Sequence, residues 1–221
     1  NHNTLLFGGE GQRQVRPRYN TSVESYLRDL KPGPRSFETG NVLFHEDRPG
    51  WAAVAGEFGQ AYDPAVVGRV ARQLLYVRPG TVAVVDHIGG AGGKPLPEIS
   101  WLLHLPSEPK AASGSLSAGN GKAWIRCRRL LPGGADPQVK PGPSTQVSAK
   151  GKIPTWEVCY KYPGRPSLTL VHLLEVGDGA APTAASPAKA EVTPEGLVLT
   201  LAGAKFLFSA RAPYGISETK R

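Results

Sequence analysis

Short apolar runs recur along the chain, each of about five to ten residues rich in Val, Leu, Ile, Trp, Tyr and Phe and bounded by Gly, Pro, Asn or Asp, the signature of strands separated by turns. The clearest are LLF at 5–7, NVLF at 41–44, WAAVAGEF at 51–58, VVGRVARQLLYV at 66–77, TVAVVDHI at 81–88 and ISWLLHL at 99–105. They continue with KAWIRCRRLL at 122–131, TWEVCYKY at 155–162, SLTLVHLLEV at 167–176, GLVLTLA at 196–202 and KFLFSA at 205–210. Short turn sequences lie at 78–80 (RPG), 119–121 (GNG), 162–164 (YPG), 194–196 (PEG) and 203–204 (GA). Turns this tight predict hairpins, hence antiparallel pairing of consecutive strands.

Within 122–131, Lys122, Arg126 and Arg128 alternate with Ala123, Ile125 and Cys127, which predicts one wet and one buried face. No window of a dozen residues carries a 3.6-residue apolar period, and SVESYLRDL at 22–30 is good for only one or two helical turns. Long loops are expected at 8–40, 89–97, 106–118, 132–152 and 177–190. The predicted architecture is an all-β, antiparallel two-sheet sandwich of about ten to twelve strands with long loops and little helix, forming a single domain over residues 1–221.

Composition narrows this further. Gly 27 and Pro 21 exceed a fifth of the 221 residues, against a usual share of about 12%, so turns are frequent. The 40% hydrophobic content and four tryptophans supply a core that a disordered chain lacks. No run approaches the ~18 apolar residues that cross a bilayer, and residues 1–20 hold no basic segment followed by an apolar one. Membrane anchoring is not expected. Cys127 and Cys159 are too few for a disulfide framework and read as two buried thiols, with a single bridge between neighbouring strands as the alternative.

The formal net charge of +8 favours an anionic partner. Arginines cluster only at Arg13, Arg16 and Arg18 and at Arg126, Arg128 and Arg129. No zinc-finger spacing, helix-turn-helix pattern or base-stacking signature accompanies them, so nucleic acid is not the expected partner. An acidic polysaccharide fits the charge equally well, because its carboxylates and sulfates pair with arginine forks as phosphates do, and surface charge kept for solubility is the alternative reading. Ser-His-Asp hydrolase chemistry is set aside for want of a GxSxG elbow, and GGAGG at 89–93 runs into KPLPEI, which cannot open a phosphate-binding helix.

Of the five histidines, His87, His104 and His172 lie within apolar strands and read as hydrogen-bonded core or face residues. Asp86 and His87, being adjacent on a strand, must point to opposite faces. His2 and His45 sit at segment edges among polar neighbours. Two imidazoles and a carboxylate make a sufficient shell for zinc, although no local spacing motif marks one here.

The stretches NHNTLLFGGEGQ at 1–12, GEFGQAYDPAVVGRVARQLLYVRPGTVAVVDHI at 56–88 and SWLLHLP at 100–106 together resemble the carboxy-terminal β-sheet domain of the heparinase II/III-like family of polysaccharide lyases. The shared features are the His-Asn-Thr start, a glycine turn with Gln, an Ala-Tyr pair, an Arg ahead of a Leu-Tyr-x-x-Pro-Gly turn, a Val-Val-Asp strand and a Trp-x-x-His strand. They cover about the first half of the chain.

The resemblance implies a β-domain that follows a helical toroid, with the active site between the two. There a uronic acid undergoes β-elimination: its carboxylate is neutralised, a Tyr or His base removes the C5 proton, and the departing O4 oxygen is protonated. On this resemblance His2 is the catalytic histidine, with Tyr19 and Tyr26 as candidate tyrosines. Asn3, Arg13 and Arg72 are the substrate-binding candidates. A structural zinc would take His2, Glu10 and His45, Glu10 being the nearest carboxylate where the family's Asp is not found. Tyr62 and Arg72 also fall on matched positions, with structural roles as the alternative.

The chain has no Met, begins at Asn1, and is too short to hold the toroid as well, so an upstream helical domain of the same protein is expected, and the isolated chain is expected to be inactive. A periplasmic or secreted bacterial location is expected. The competing reading is a non-catalytic carbohydrate-binding or structural β-domain for anionic glycans such as glycosaminoglycans.

Overall fold

The structure is a computed structural model and describes residues 3–13, 40–112, 114–134, 136–148 and 151–219. Among them sixteen strands form three antiparallel sheets. The first sheet has the order β1 (Leu5–Phe7), β6 (Ile99–Leu105), β11 (Gly151–Tyr162), β10 (Gln138–Ser148). The middle sheet has eight strands: β2 (Asn41–Asp47), β3 (Trp51–Glu57), β4 (Val67–Val77), β5 (Thr81–Gly90), β12 (Ser167–Asp178), β9 (Ala123–Leu131), β8 (Ser115–Gly119) and β7 (Lys110–Ala112). The third comprises β13 (Ala188–Thr193), β14 (Gly196–Leu201), β15 (Ala204–Ser209) and β16 (Ile216–Thr219). No helix of the described residues is long and apolar enough to cross a membrane.

The all-β antiparallel sandwich is the architecture the sequence predicts, with a third layer added. The middle sheet is covered on both faces, and β5 shows why its sequence runs apolar without alternation. Ala83 through Ile88 are all buried. Val84 and Ile88 face a core shared with Trp101, Leu103, Val158 and Tyr160 of the first sheet, while Ala83 and Val85 face a second core with Leu197, Leu199, Phe206 and Phe208 of the third. Successive side chains of one strand thus enter two different cores.

Three of the expected loops carry strands. Pro141 and Pro143 argue against a strand at 138–148, yet β10 is an edge strand, where a residue without a backbone N–H loses no ladder bond that matters. The Ala- and Ser-rich β7 and β8 in 106–118, and β13 at the end of 177–190, have weak apolar signals and also lie at or near sheet edges. The segment 22–30 lies outside the described residues. The face of β9 predicted to be wet is covered instead: Arg126 and Arg128 are 12% and 17% exposed and flank the buried Glu175. Their guanidiniums also donate to the carbonyls of Pro182, Ala184 and Ser186, and Glu175 accepts the Ser186 N–H at 3.0 Å. Cys127 and Cys159 are buried free thiols, on β9 of the middle sheet and β11 of the first.

Each core contains a polar network. Between the first and middle sheets Asp86 is fully buried and takes two hydrogen bonds from Arg72, Nε to Oδ1 at 2.6 Å and Nη2 to Oδ2 at 3.0 Å. Trp101 Nε1 donates to the same Oδ2 at 3.1 Å across the interface. Its indole stacks on His172 at 3.8 Å, and His172 Nε2 meets the Tyr162 hydroxyl at 2.7 Å. On the opposite face Gln73 Nε2 donates to the carbonyls of Tyr214 (2.8 Å) and Ser209 (3.1 Å), tying the third sheet to the middle one. Because those carbonyls can only accept, Gln73 turns its oxygen to His87 Nε2 at 2.7 Å, and His87 must donate there. Asp86 and His87 do point to opposite faces.

Removing the carboxylate by Asp86→Ala leaves a largely buried guanidinium without its partner, and the expected loss is about 3–5 kcal/mol of unfolding free energy, measured by urea denaturation. Both buried histidines are held neutral: burial, then the Arg69 charge, brings His87 down to about 4, and burial, then Arg72 and Arg129, puts His172 well below its ordinary range. Unfolded histidine titrates near pH 6.5, so this stability is fully present above pH 6.5 and is lost as pH falls, because the unfolded chain takes up protons that the folded one refuses. His87's share, about 3 kcal/mol by pH 4, levels off below that, and urea unfolding of His87→Gln between pH 7.5 and 4 should show a correspondingly shallower decline.

Candidate functional site

The amino-terminal segment is stitched to the domain along its described length. β1 pairs with β6, Leu5 opposite Trp101 and Phe7 opposite Ile99, and the Leu102 N–H donates to Thr4 O at 2.9 Å. Beyond the last ladder pair, Asn3 Oδ1 accepts the His104 N–H at 2.8 Å. The chain then reverses at Gly8 and Gly9, whose φ values of 62° and 87° lie in the left-handed region that glycine enters without a steric penalty. Reciprocal Phe7 and Glu10 backbone bonds of 2.9 and 3.1 Å close the turn, and the Arg13 N–H donates to Ala61 O at 2.7 Å.

This wrapping encloses Tyr62, which is 2% exposed. Its ring meets Phe7 edge-on at 4.8 Å, and its hydroxyl lies 3.2 Å from Thr4 Oγ1 and donates to Leu5 O at 3.3 Å. Above it opens a cleft of about 400 Å³ lined by Phe7, Glu10, Gln12, Arg13, Asp63 and Pro97, among others. The floor is aromatic and the rim carries a guanidinium, an amide and two carboxylates, a mixture suited to a saccharide's apolar ring face and hydroxyls. Burial raises the Tyr62 phenol above its ordinary value. It therefore stays protonated, with its proton given to the Leu5 carbonyl.

The sequence-predicted residues fall as follows. Glu10 and Arg13 border this cleft. Asn3 is exposed but engaged with β6. Arg72 points between the first and middle sheets, 20% exposed, with Asp86 as its partner and Phe58 under its guanidinium at 5.8 Å. His45 is exposed on β2, an edge strand of the middle sheet, opposite Val54, so it and Glu10 stand on different elements. Among the described residues no group of three or more His, Cys, Asp or Glu side chains could hold a metal ion. His2, Tyr19 and Tyr26 lie outside the described residues. Gln12, noted in the sequence only as the Gln of the glycine turn, and Asp63, not singled out there, join the cleft. Gln12 belongs to the GGEGQ turn, but nothing in sequence order says that this turn closes over the Tyr62–Asp63 pair some fifty positions on.

No protein-family model matches the chain, and no curated protein matches it significantly. Solved structures share its fold. The heparan sulfate lyase HepC from Pedobacter heparinus superposes with a TM-score of 0.65 at 10% identity, over 99% of this chain and 30% of its own. A heparinase III gene product gives 0.64 at 9% identity over 100% of this chain and 30% of its own, and a further heparinase III gives 0.61 at 14% over 100% and 29%. At those identities the likeness is one of fold, and this chain spans less than a third of the length of these structures. It has the fold of the β-domain of the heparinase III lyases.

Asn3→Ala removes the side-chain acceptor that holds the segment beyond β1. The expected cost is about 1 kcal/mol together with faster hydrogen exchange of the His104 amide, read by NMR, while amides in β5 stay protected.

Proposed function

We propose that this chain is the β-sandwich portion of a polysaccharide lyase that cleaves a uronate-containing acidic polysaccharide by β-elimination, in concert with a helical domain upstream. The observation that supports it most is that nearly the whole chain follows the fold of one segment of heparinase III, with the remaining two thirds of those structures unmatched. In this reading the described residues bind and orient the polymer. The Glu10–Arg13 rim offers a cation to a uronate or sulfate, and the protonated Tyr62 lies at the floor.

Proton transfer falls to His2, with Tyr19 and Tyr26 as further candidates, and to groups of the upstream domain. The C5 proton goes to the base, the electron pair forms the C4–C5 double bond, and the O4 leaving group departs with a proton from an acid. The residue after His2, Asn3, is the one fixed to β6, which gives a rigid support next to the candidate base. A structural zinc on His2, Glu10 and His45 belongs to the same proposal.

The test is ultraviolet detection of new unsaturated uronate ends on heparan sulfate and heparin, for residues 1–221 alone and for the protein extended by the sequence preceding Asn1, with metal analysis of both. Expected are turnover by the extended protein, none by the chain alone, and a loss of at least about a hundredfold in His2→Ala. Turnover by residues 1–221 alone would overturn the division of labour. Binding without turnover in the extended protein would replace the proposal with the non-catalytic glycan-binding reading.

A further inference from the structure

A second cleft, of about 360 Å³, opens between the middle and third sheets and shares no lining residue with the first. Its floor follows from register. Two adjacent rows cross β4, β5 and β12: Ala71–His87–Thr169, then Arg69–Gly89–Ser167. They continue the face whose Leu75, Ala83 and Leu173 lie under the third sheet. Where that cover ends, with Val192 and Ala210 at the rim, the face is open.

Gly89 stands in the middle of the outer row. A Cβ there would meet only the Arg69 Cβ, at 3.8 Å, an ordinary contact, so the backbone itself does not demand glycine. Its two partners in register, Arg69 and Ser167, both line the cleft, so a side chain added at Gly89 would stand between them.

The chemistry of the walls is one-sided. Arg69 and Arg165 both line the cleft and no carboxylate does. Arg48, Arg72, Arg78, Arg126 and Arg128 each meet a carboxylate, whereas Arg69 and Arg165 form no ion pair with any described residue; Arg69 instead lies beside the Tyr214 hydroxyl. Two arginines lining one cleft that no carboxylate lines favour an anion there.

The inner row adds an oriented hydroxyl. The carbonyls of Ser209 and Tyr214 fix the Gln73 amide, Gln73 fixes the His87 tautomer, and His87 Nδ1 is left as an acceptor for the Thr169 hydroxyl at 3.3 Å. With its proton committed to His87, the Thr169 oxygen presents lone pairs to the cleft.

We propose that this cleft is a second saccharide-binding site, which holds a sulfate or carboxylate of an anionic sugar between Arg69 and Arg165 while Thr169 accepts a hydrogen bond from a sugar hydroxyl. The anion site stands on the geometry, and its assignment to a sugar rests on the function proposed above. A polymer held at the Glu10–Arg13 cleft would then have a second point of attachment on the same domain, and two weak contacts linked by one chain bind more tightly than either alone.

The test is calorimetric titration of the protein with a heparin hexasaccharide and, separately, with inorganic sulfate. The variants are Arg69→Ala/Arg165→Ala, Gly89→Leu, which fills the floor without backbone strain, and Arg13→Ala at the other cleft; thermal melting verifies that each is folded. The expected result is at least about tenfold weaker hexasaccharide binding in the first two variants, with sulfate alone binding far more weakly than the sugar. Hexasaccharide binding unchanged in both folded variants overturns the second site, and its loss in Arg13→Ala alone would do so while leaving the proposed function standing. Sulfate binding that depends on Arg69 and Arg165, without hexasaccharide binding, would overturn the sugar assignment and the acidic-glycan reading together.

Discussion

The fully buried Asp86 carboxylate is the constraint around which the sandwich is organised. A charge placed between two sheets costs several kcal/mol in desolvation unless it is paired and its lone pairs are used. Here a bidentate guanidinium from the neighbouring strand and an indole N–H from the facing sheet do both. The Arg72–Asp86 pair sets two strands of the middle sheet in register, and Trp101 fixes the first sheet above them. Trp101 is also the residue paired with Leu5 of β1, so the position of the amino-terminal segment, and of the cleft that it encloses, descends from this buried pair.

Charge use follows the same economy. A net +8 suggests a broadly basic surface, but several arginines are neutralised internally: Arg72 by Asp86, and Arg126 and Arg128 by Glu175 and the carbonyls of 182–186. What is left over is local. Arg13 stands at the rim of one cleft beside Glu10 and Asp63, and Arg69 and Arg165 line another that no carboxylate lines.

Much of the fold was legible because β-branched and aromatic runs between glycine and proline turns report strands directly: 5–7 and 99–105 coincide with β1 and β6, and 81–88 lies within β5. Local pattern does not report what packs on a strand. Continuous burial of Ala83–Ile88 signals cover on both faces, yet nothing local distinguishes the first sheet from the third as the cover. Prolines hid β10 because their penalty depends on edge position, which is a tertiary property. At the candidate site, Asp86 and His87 were correctly placed on opposite faces by strand geometry. The partnerships that give them meaning, with Trp101 and with Gln73, depend on register across three strands and between sheets. Glu10 was legible as a candidate through the opening motif and Arg13 through the first arginine cluster, whereas Asp63 became visible only once the turn at Gly8–Gly9 had folded back over Tyr62.

On the proposed function, the amino-terminal cleft takes the polysaccharide. The most direct measurement is an NMR titration of the isotopically labelled protein with a heparan sulfate oligosaccharide, following the backbone amides of Gly8, Gly9, Gly11, Gln12 and Arg13. The expected result is progressive, saturable shifts of these amides, reduced in Arg13→Ala. Amides that stay unmoved while the oligosaccharide binds elsewhere, or does not bind at all, would contradict it.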